Sequence, residues 1–159
     1  MTLAIETLAA QVGLKLTQLK LHLATVESCT GGGLSYWLTS IAGSSDWFDY
    51  GFVTYSRKAK IEMVGVSPQT LDQFGEVSEA TVREMAEGGL KKSHADICIA
   101  ITGIAGPGGG SAEKPIGTVW TAWANRNTTQ VNVNIFSGDR QQVRMQAMEN
   151  ALETLLKLI

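Results

Sequence analysis

The sequence predicts an α/β protein: a single domain over residues 1–159, folded as a three-layer α/β/α sandwich around a mixed β-sheet. Segments with the apolar spacing of helices alternate with short apolar strands through most of the chain. Residues 96–102 are almost continuously apolar, as expected for a central strand covered on both faces. Residues 125–130 separate the last two predicted strands, and so short a connection favours a hairpin, which makes the sheet mixed.

The individual elements follow from apolar spacing and from turn and capping residues. The spacing up to residue 19 predicts an N-terminal helix. Ser67 followed by Pro68 predicts the start of one helix, and Asp139 with Gln142 predicts a capping box at the start of the last. The predicted strands are 21–27, 51–55, 96–102, 117–124 and 131–136, and further helices are predicted from the glycine turn to about residue 42, over 58–64 and from residue 78.

Composition and charge exclude several classes of function. A net charge of −2 with scattered basic residues argues against nucleic-acid binding. No run of about 18 apolar residues is present and no basic leader precedes an apolar segment, so we expect neither a membrane span nor an export signal. Cys29 and Cys98 are too few for a disulfide framework and are expected to be free thiols in the cytoplasm. Two histidines without a Cys-x-x-Cys motif argue against a zinc site.

The stretch 27–32, Glu-Ser-Cys-Thr-Gly-Gly, carries the strongest chemical signal. It lies where a predicted strand is followed by a helix N-terminus, an edge at which α/β proteins bind ligands. Acyl transfer needs a nucleophile beside backbone N–H donors, and Ser28 or Cys29 next to Thr30 and Gly31 would supply both. The alternative is that the hydroxyls only cap the helix and the glycines only allow close packing.

A serine nucleophile needs a base, and neither histidine has a polar or glycine-rich setting. A neutral lysine in a dry site can deprotonate serine. Lys58 and Lys60 follow the predicted strand 51–55 at the beginning of a helix, where the helix dipole disfavours a cation and helps to lower a lysine pKa. The alternative is that both are solvated surface lysines.

Three further segments are candidates for substrate contacts. The glycine-rich loop after residue 102 would let a phosphate or a substrate approach the backbone, although it matches neither a Walker A loop nor a dinucleotide fingerprint. Arg140 and Arg144 at the start of the last helix suit a phosphate or a carboxylate, unless they only form a solvated first turn. Ser44 and Ser45 follow a predicted glycine C-cap at Gly43 and are either a second nucleophile candidate, a substrate contact or capping residues.

Several separated motifs together carry a family resemblance. They are 27–32 (Glu-Ser-Cys-Thr-Gly-Gly), 41–45 (Ile-Ala-Gly-Ser-Ser), 47–48 (Trp-Phe), 51–56 (Gly-Phe-Val-Thr-Tyr-Ser), 59–60 (Ala-Lys), 65–66 (Gly-Val), 77–78 (Val-Ser), 103–107 (Gly-Ile-Ala-Gly-Pro), 114–115 (Lys-Pro), 117–119 (Gly-Thr-Val) and 137–140 (Ser-Gly-Asp-Arg). From residue 27 to the last helix the chain resembles the C-terminal domain of the competence-damage-inducible protein family, the CinA C-terminal domain, which includes stand-alone bacterial enzymes of about this length.

The resemblance implies a nicotinamide-nucleotide amidohydrolase, which converts nicotinamide mononucleotide and water into nicotinic acid mononucleotide and ammonia in pyridine-nucleotide salvage. It implies an α/β/α fold, a homo-oligomer (a dimer or larger), cytoplasmic location and no metal or organic cofactor. Ser28 is the implied nucleophile, and Lys60, which is the lysine of the family's Tyr-Ser-x-x-Ala-Lys pattern, is the implied base. Lys58 adds a second cation that either lowers the pKa of Lys60 or is itself the base.

The remaining site residues are assigned on the same resemblance. Thr30 and Gly31 are expected to hold the oxyanion, and Tyr55 to stack on the nicotinamide ring or orient the lysine. The residues expected to bind the nucleotide are Thr102, Gly103, Ala105 and Gly106, with Arg140 or Arg144 at the 5′-phosphate. One rival hypothesis is a different amide or nucleotide substrate. Another is a non-catalytic nucleotide-binding or interaction module linked to competence or DNA damage, and the presence of both Ser28 and a following lysine favours an enzyme over it.

Overall fold

The computed structural model describes residues 2–159 and has one five-stranded sheet between two helical layers, which confirms the predicted mixed α/β/α sandwich. The strands are β1 (Leu23–Glu27), β2 (Phe48–Val53), β3 (Ile97–Gly103), β4 (Thr118–Asn125) and β5 (Thr129–Ile135). The helices are α1 (Thr2–Leu19), α2 (Gly33–Thr39), α3 (Arg57–Val64), α4 (Pro68–Phe74), α5 (Glu79–Ser93) and α6 (Arg140–Leu158). Over residues 2–159, none of these helices has the length and apolar character that crossing a bilayer requires.

The strand order β2-β1-β3-β4-β5 decides where the functional loops meet. Strand β1 pairs in parallel with both β2 and β3, and β4 and β5 are antiparallel additions. Glu27 lies opposite Val53 on one side and Ile101 on the other, so the three parallel strands end together. The loops that follow these strands therefore open at one edge of the sheet, where α/β proteins bind their ligands.

The two faces of the sheet differ in side-chain size, and this sets how closely the helices pack. The face toward α1, α2 and α6 presents large side chains such as Ile99, Ile101 and Trp123. The face toward α3, α4 and α5 presents mostly alanines and valines. Helix α5 packs so close to this face that a Cβ added at Gly89 would meet Val26 Cγ2 at 2.3 Å. A glycine is therefore needed where α5 crosses the sheet.

Two boundaries differ from the sequence prediction by three residues. Helix α2 ends at Thr39, and Gly43 (φ 82°) precedes a short 3-10 turn, Ser44–Asp46, so it is not the predicted helix C-cap. Strand β2 begins at Phe48, three residues before the predicted start, because an edge strand with exposed residues lacks the apolar run on which the prediction depended. The capping box that joins Asp139 and Gln142 is confirmed.

Candidate active site

Ser28 and Lys60 are in direct contact at the edge where the parallel strands end. Ser28 is the first residue after β1, and Lys60 lies in the first turn of α3. Lys60 Nζ donates hydrogen bonds to Ser28 Oγ at 2.9 Å, to the carbonyl oxygen of Thr54 at 2.8 Å and to that of Tyr55 at 3.1 Å. Lys60 is only 1% exposed, which is rare for a lysine. The loop after β2 therefore supplies two acceptors that fix the amine against the serine hydroxyl.

The surroundings of Lys60 favour its neutral form. Burial, which penalises the charged ammonium, lowers the pKa of Lys60, and the negative charge of Glu76 opposes this only in part. A neutral amine has two N–H groups and one lone pair. When the two N–H groups bond the carbonyl oxygens of Thr54 and Tyr55, the lone pair is left for the Ser28 hydroxyl. The site can thus activate serine with a lysine as base.

Backbone hydrogen bonds fix the peptide groups of the turn that follows Ser28. Gly31 N–H donates to Ser28 O at 3.0 Å, and Gly33 N–H donates to Thr30 O at 2.9 Å. The N–H groups of Cys29 and Thr30 donate to no carbonyl or side-chain oxygen in the part of the chain that the structure describes. Of the two predicted oxyanion donors, the Gly31 amide is thus engaged within the turn, whereas the Thr30 amide has no oxygen acceptor among residues 2–159.

A buried carboxylate closes the N-terminus of α2. Glu27 is fully buried, and its carboxylate accepts from Leu34 N–H at 2.8 Å, from Ser35 N–H at 3.0 Å and from the Ser35 hydroxyl at 2.7 Å. The first-turn N–H groups that an anion would need are therefore occupied by the protein's own carboxylate. The start of α2 acts as a support for the Ser28 turn and does not form a phosphate cradle.

Replacing Glu27 with alanine is expected to lower the free energy of unfolding by about 3 kcal/mol or more, because one buried N–H group, one partly buried N–H group and one hydroxyl lose their acceptor. Glu27→Gln is expected to destabilise less, since its amide keeps one acceptor oxygen. Urea denaturation followed by circular dichroism measures both. Glu62, whose side chain is 63% exposed, offers the control Glu62→Ala, for which a change within about 0.5 kcal/mol is expected. An equally small change in Glu27→Ala would contradict this role.

A small cavity of about 240 Å³ opens beside the serine and the lysine. Arg140, from the first turn of α6, lines this cavity and donates to the carbonyl oxygen of Gly106 at 2.7 Å and to the Tyr55 hydroxyl at 3.0 Å. Thr102 donates its hydroxyl to Glu76 O at 2.8 Å and so joins the end of β3 to the segment before α5. The lining residues are Ser28, Cys29, Tyr55, Lys60, Glu76, Val77, Thr102, Gly103, Ala105 and Arg140.

Comparison with known proteins identifies the family. The family model described as the CinA C-terminal domain matches residues 5–159. The chain belongs to this family. Nicotinamide-nucleotide amidohydrolase PncC of Escherichia coli K12 is 53% identical to it over 149 residues, which are 93% of this chain and 90% of that protein. The protein of the same name from Enterobacter agglomerans is 48% identical over 154 residues, covering 96% and 94% of the two chains.

Solved structures of the CinA superfamily have the same fold. The crystal structure of the competence/damage inducible protein CihA from Agrobacterium tumefaciens matches this CinA domain with a TM-score of 0.94 at 46% sequence identity. The match covers 98% of this chain and 95% of that chain. The order of strands and helices described above is therefore the CinA fold.

In this CinA domain the two candidate lysines, Lys58 and Lys60, have different surroundings, whereas the two candidate nucleophiles, Ser28 and Cys29, both line the cavity. The Lys58 side chain is 80% exposed and lies 3.8 Å from Glu62, on the face of α3 away from the cavity. Cys29 lies at the cavity, but burial raises the pKa of its thiol to about 11, so it is not a thiolate near neutral pH. Of the two, Ser28 is the residue whose side chain contacts the Lys60 amine. Both cysteines are free, as predicted.

Two other groups of predicted residues do not contact the cavity as expected. Ser44 and Ser45 form a 3-10 turn just before β2 and so lie at the opposite edge of the parallel strands from Ser28. Arg144 donates to the carbonyl oxygens of Cys29 and Thr30, both at 3.0 Å, and lies behind the Ser28 turn. Neither Ser44 nor Ser45 nor Arg144 lines the cavity in a single chain. Thr30, Gly31 and Gly106 are also outside its lining, although Thr30 and Gly106 directly follow the lining residues Cys29 and Ala105.

The sequence reading missed Glu76 and Thr54. Glu76 lines the cavity and its charge acts on Lys60, yet its only sequence signal was its place just before a predicted helix cap. Thr54 contributes a backbone oxygen to Lys60, and no side-chain pattern reports a backbone contact. Both contacts depend on the tertiary structure, which brings the loops after β2 and α4 next to the end of β1.

Proposed function

We propose that this CinA domain is a nicotinamide-nucleotide amidohydrolase that converts nicotinamide mononucleotide and water into nicotinic acid mononucleotide and ammonia. The observation that carries the proposal is the 2.9 Å contact between a buried Lys60 amine and the Ser28 hydroxyl. A cavity that is lined by this pair and by Arg140 suits an amide attached to an anionic nucleotide. The relatives at 53% and 48% identity are nicotinamide-nucleotide amidohydrolases by name, which supports the same substrate.

The first half of the reaction transfers the acyl group to the enzyme. Lys60 takes the proton of the Ser28 hydroxyl while Oγ attacks the carboxamide carbon. The C=O bond becomes a C–O⁻ bond, and the N–H groups of Cys29 and Thr30 are the donors that stabilise it. When the tetrahedral intermediate collapses, the C–N bond breaks and the Lys60 ammonium returns its proton to the leaving nitrogen. Ammonia departs, and Ser28 is left as an ester of the nicotinate nucleotide.

The second half regenerates the enzyme. Lys60 is neutral again after ammonia leaves, so it can take a proton from a water molecule that attacks the ester carbon. The oxyanion forms a second time at the same N–H groups. Collapse breaks the bond to Ser28 Oγ, which recovers its proton from Lys60, and nicotinic acid mononucleotide is released. The protons balance over the two halves without any further acid or base.

The nucleotide part of the substrate is assigned to the cavity mouth. Arg140 is the side chain proposed for the 5′-phosphate, because its guanidinium lies at the mouth beside the glycine-rich loop of Gly103, Ala105 and Gly106. Tyr55, which is 60% exposed, offers its ring as a stacking surface for the nicotinamide. Glu76 offers a carboxylate to the cationic pyridinium ring.

An ammonia-release assay tests the function. Nicotinamide mononucleotide is expected to release ammonia in proportion to enzyme and time, whereas nicotinamide and glutamine, which lack the nucleotide, release little. Tight nucleotide binding without any ammonia release would overturn the amidohydrolase proposal in favour of a binding module linked to competence or DNA damage. Release from glutamine at an equal rate would overturn the substrate assignment.

The lowered pKa of Lys60 predicts the pH profile. The free amine is the active form, and its fraction grows as the pH rises toward the lowered pKa. We expect kcat/KM to rise about tenfold per pH unit at low pH and to level off at a pH below 10.5, the ordinary lysine value. Initial rates in overlapping buffers measure this. A profile that is flat, or that still rises above pH 10.5, would contradict lysine as the base.

We further propose that the enzyme is a cytoplasmic homo-oligomer that works in pyridine-nucleotide salvage. Strand β2 is an outer strand of the sheet and carries exposed apolar side chains: Tyr50 is 49% and Val53 44% exposed. An apolar edge of this kind is a template for pairing with another chain, and a second copy is the occupant we propose. Sedimentation velocity on wild type and Tyr50→Glu is expected to show an oligomer that Tyr50→Glu weakens. A monomeric wild type would contradict it.

A further inference from the structure

Arg144 is bound to the backbone of the Ser28 turn. Its Nε–H donates to Cys29 O and its Nη2–H to Thr30 O, each at 3.0 Å, across 115 and 114 positions in the sequence. One edge of the guanidinium is thereby committed to two successive carbonyl oxygens. The sequence pattern had placed this arginine at a phosphate, but it does not line the cavity.

The carbonyl oxygen of Cys29 belongs to the same peptide group as the N–H of Thr30. In a trans peptide these two groups point in opposite directions, so holding the oxygen fixes the direction of the N–H. The neighbouring peptide groups have other supports: Ser28 O accepts from Gly31 N–H, and Thr30 O also accepts from Gly33 N–H. For Cys29 O, Arg144 is the one donor found among residues 2–159.

The bond between Arg144 and Cys29 O also acts on the strength of the donor. A hydrogen bond from a charged guanidinium to a carbonyl oxygen is stronger than one from a neutral donor, and it polarises the peptide so that its N–H becomes a better donor. An oxyanion site is effective when its donors are oriented before the reaction begins. Arg144 supplies both orientation and polarisation from behind the turn.

We infer that Arg144 is a positioning residue that sets the Cys29–Thr30 peptide as an oxyanion donor, acting through the backbone and not on the phosphate of the substrate. This inference rests on the proposed amidohydrolase function. It assigns the two arginines of α6 to different tasks, with Arg140 toward the nucleotide and Arg144 toward the reacting carbonyl.

A substrate without the phosphate separates the two roles of Arg144. Nicotinamide riboside is nicotinamide mononucleotide lacking its 5′-phosphate. If Arg144 positions the oxyanion donor, Arg144→Gln and Arg144→Lys lower kcat by about 10²-fold or more for both substrates, with little change in KM. Lysine keeps the charge but cannot bond two carbonyls with one planar group. If Arg144 instead binds phosphate, KM rises for the mononucleotide alone.

Matched variants and an independent reagent complete the experiment. Arg126→Gln is the control, because that side chain is 78% exposed and forms an ion pair with Asp96 at 3.6 Å, and its kinetics are expected to equal wild type. The rate at which a small phosphonofluoridate modifies Ser28 depends on the reactivity of the nucleophile and on the oxyanion donors, and it is measured without any nucleotide. We expect it to fall about 10²-fold in both Arg144 variants, whose folding is verified by circular dichroism.

The outcomes distinguish this inference from the proposed function. Wild-type reaction with the phosphonofluoridate but no ammonia from the nucleotide would overturn the substrate, while the Arg144 variants would still test the positioning role. Unchanged kcat and unchanged modification rates in folded Arg144 variants would overturn the inference alone. Failure of the wild-type chain to react with the reagent would overturn both.

Discussion

Replacement of Ser28 by alanine is expected to reduce kcat for ammonia release by roughly 10⁴-fold or more. The alanine removes the one hydroxyl that, among residues 2–159, is hydrogen-bonded to the Lys60 amine, so no acyl-enzyme can form at this position. The substitution removes one oxygen from a residue that is 8% exposed, and we expect the fold to be kept. Steady-state ammonia release, together with thermal unfolding of the same preparation, measures both expectations.

Two controls ask whether another side chain near the motif is the nucleophile. Cys29→Ala and Ser45→Ala each remove an alternative that the sequence left open. Both variants are expected to keep kcat within a few-fold of wild type, because Cys29 is an undissociated thiol and Ser45 lies at the far edge of the sheet. Full activity in Ser28→Ala, or loss of activity in either control variant with the fold intact, would contradict the assignment of Ser28 as the nucleophile.

Replacement of Lys60 is the second large effect. Lys60→Met removes the base but keeps an unbranched side chain in a site that is 1% exposed, and kcat is expected to fall roughly 10³-fold or more. Lys60→Arg is expected to be equally inactive, because a guanidinium remains protonated and cannot accept the Ser28 proton. Ammonia release over a range of pH is the measurement, and the rise with pH is expected to vanish in both variants.

Lys58→Met is the matched control for Lys60→Met. Lys58 lies two residues earlier on the same helix, but its side chain is 80% exposed and its nearest ion partner, Glu62, is 3.8 Å away. Wild-type kcat and an unchanged pH profile are therefore expected for Lys58→Met. The opposite pattern, in which Lys58→Met is inactive and Lys60→Met is active, would show that the exposed lysine is the base.

The two lysines show how far the sequence alone could go. The residue pattern did not distinguish Lys58 from Lys60 as the candidate base, and only the family resemblance favoured Lys60. The positions of the two lysines on α3 distinguish them. Lys60 is four residues before the buried Val64 and lies on the same face of the helix, whereas Lys58 lies on the face of Glu62. This difference becomes informative only when it is known which face of α3 meets the sheet, and this depends on tertiary packing.

The Ser28 turn was predicted in its position but not in its hydrogen bonding. The strand, the turn and the following helix could be predicted because apolar runs and glycines report local conformation. The use of the Gly31 amide within the turn and the closure of α2 by Glu27 could not, since both depend on the detailed course of a few peptide groups. The contact from Arg144 to the turn spans more than a hundred residues and leaves no local pattern.

Ser44 and Ser45 are a different case. The sequence left three roles open for them: a second nucleophile, a substrate contact or capping. Because β2 runs parallel to β1, the chain must return to the starting edge of the sheet before β2 begins, and these serines lie on that return. The parallel pairing, once known, places them away from Ser28 in a single chain.

Mass spectrometry of enzyme quenched in acid during turnover of nicotinamide mononucleotide tests the serine–lysine mechanism most directly. Digestion of the quenched protein locates any covalent adduct on the chain. The mechanism predicts an adduct with the mass of the substrate less ammonia, attached to the peptide that contains Ser28 and assigned to its Oγ by fragmentation. The same adduct on Cys29, or on any other side chain, would contradict it.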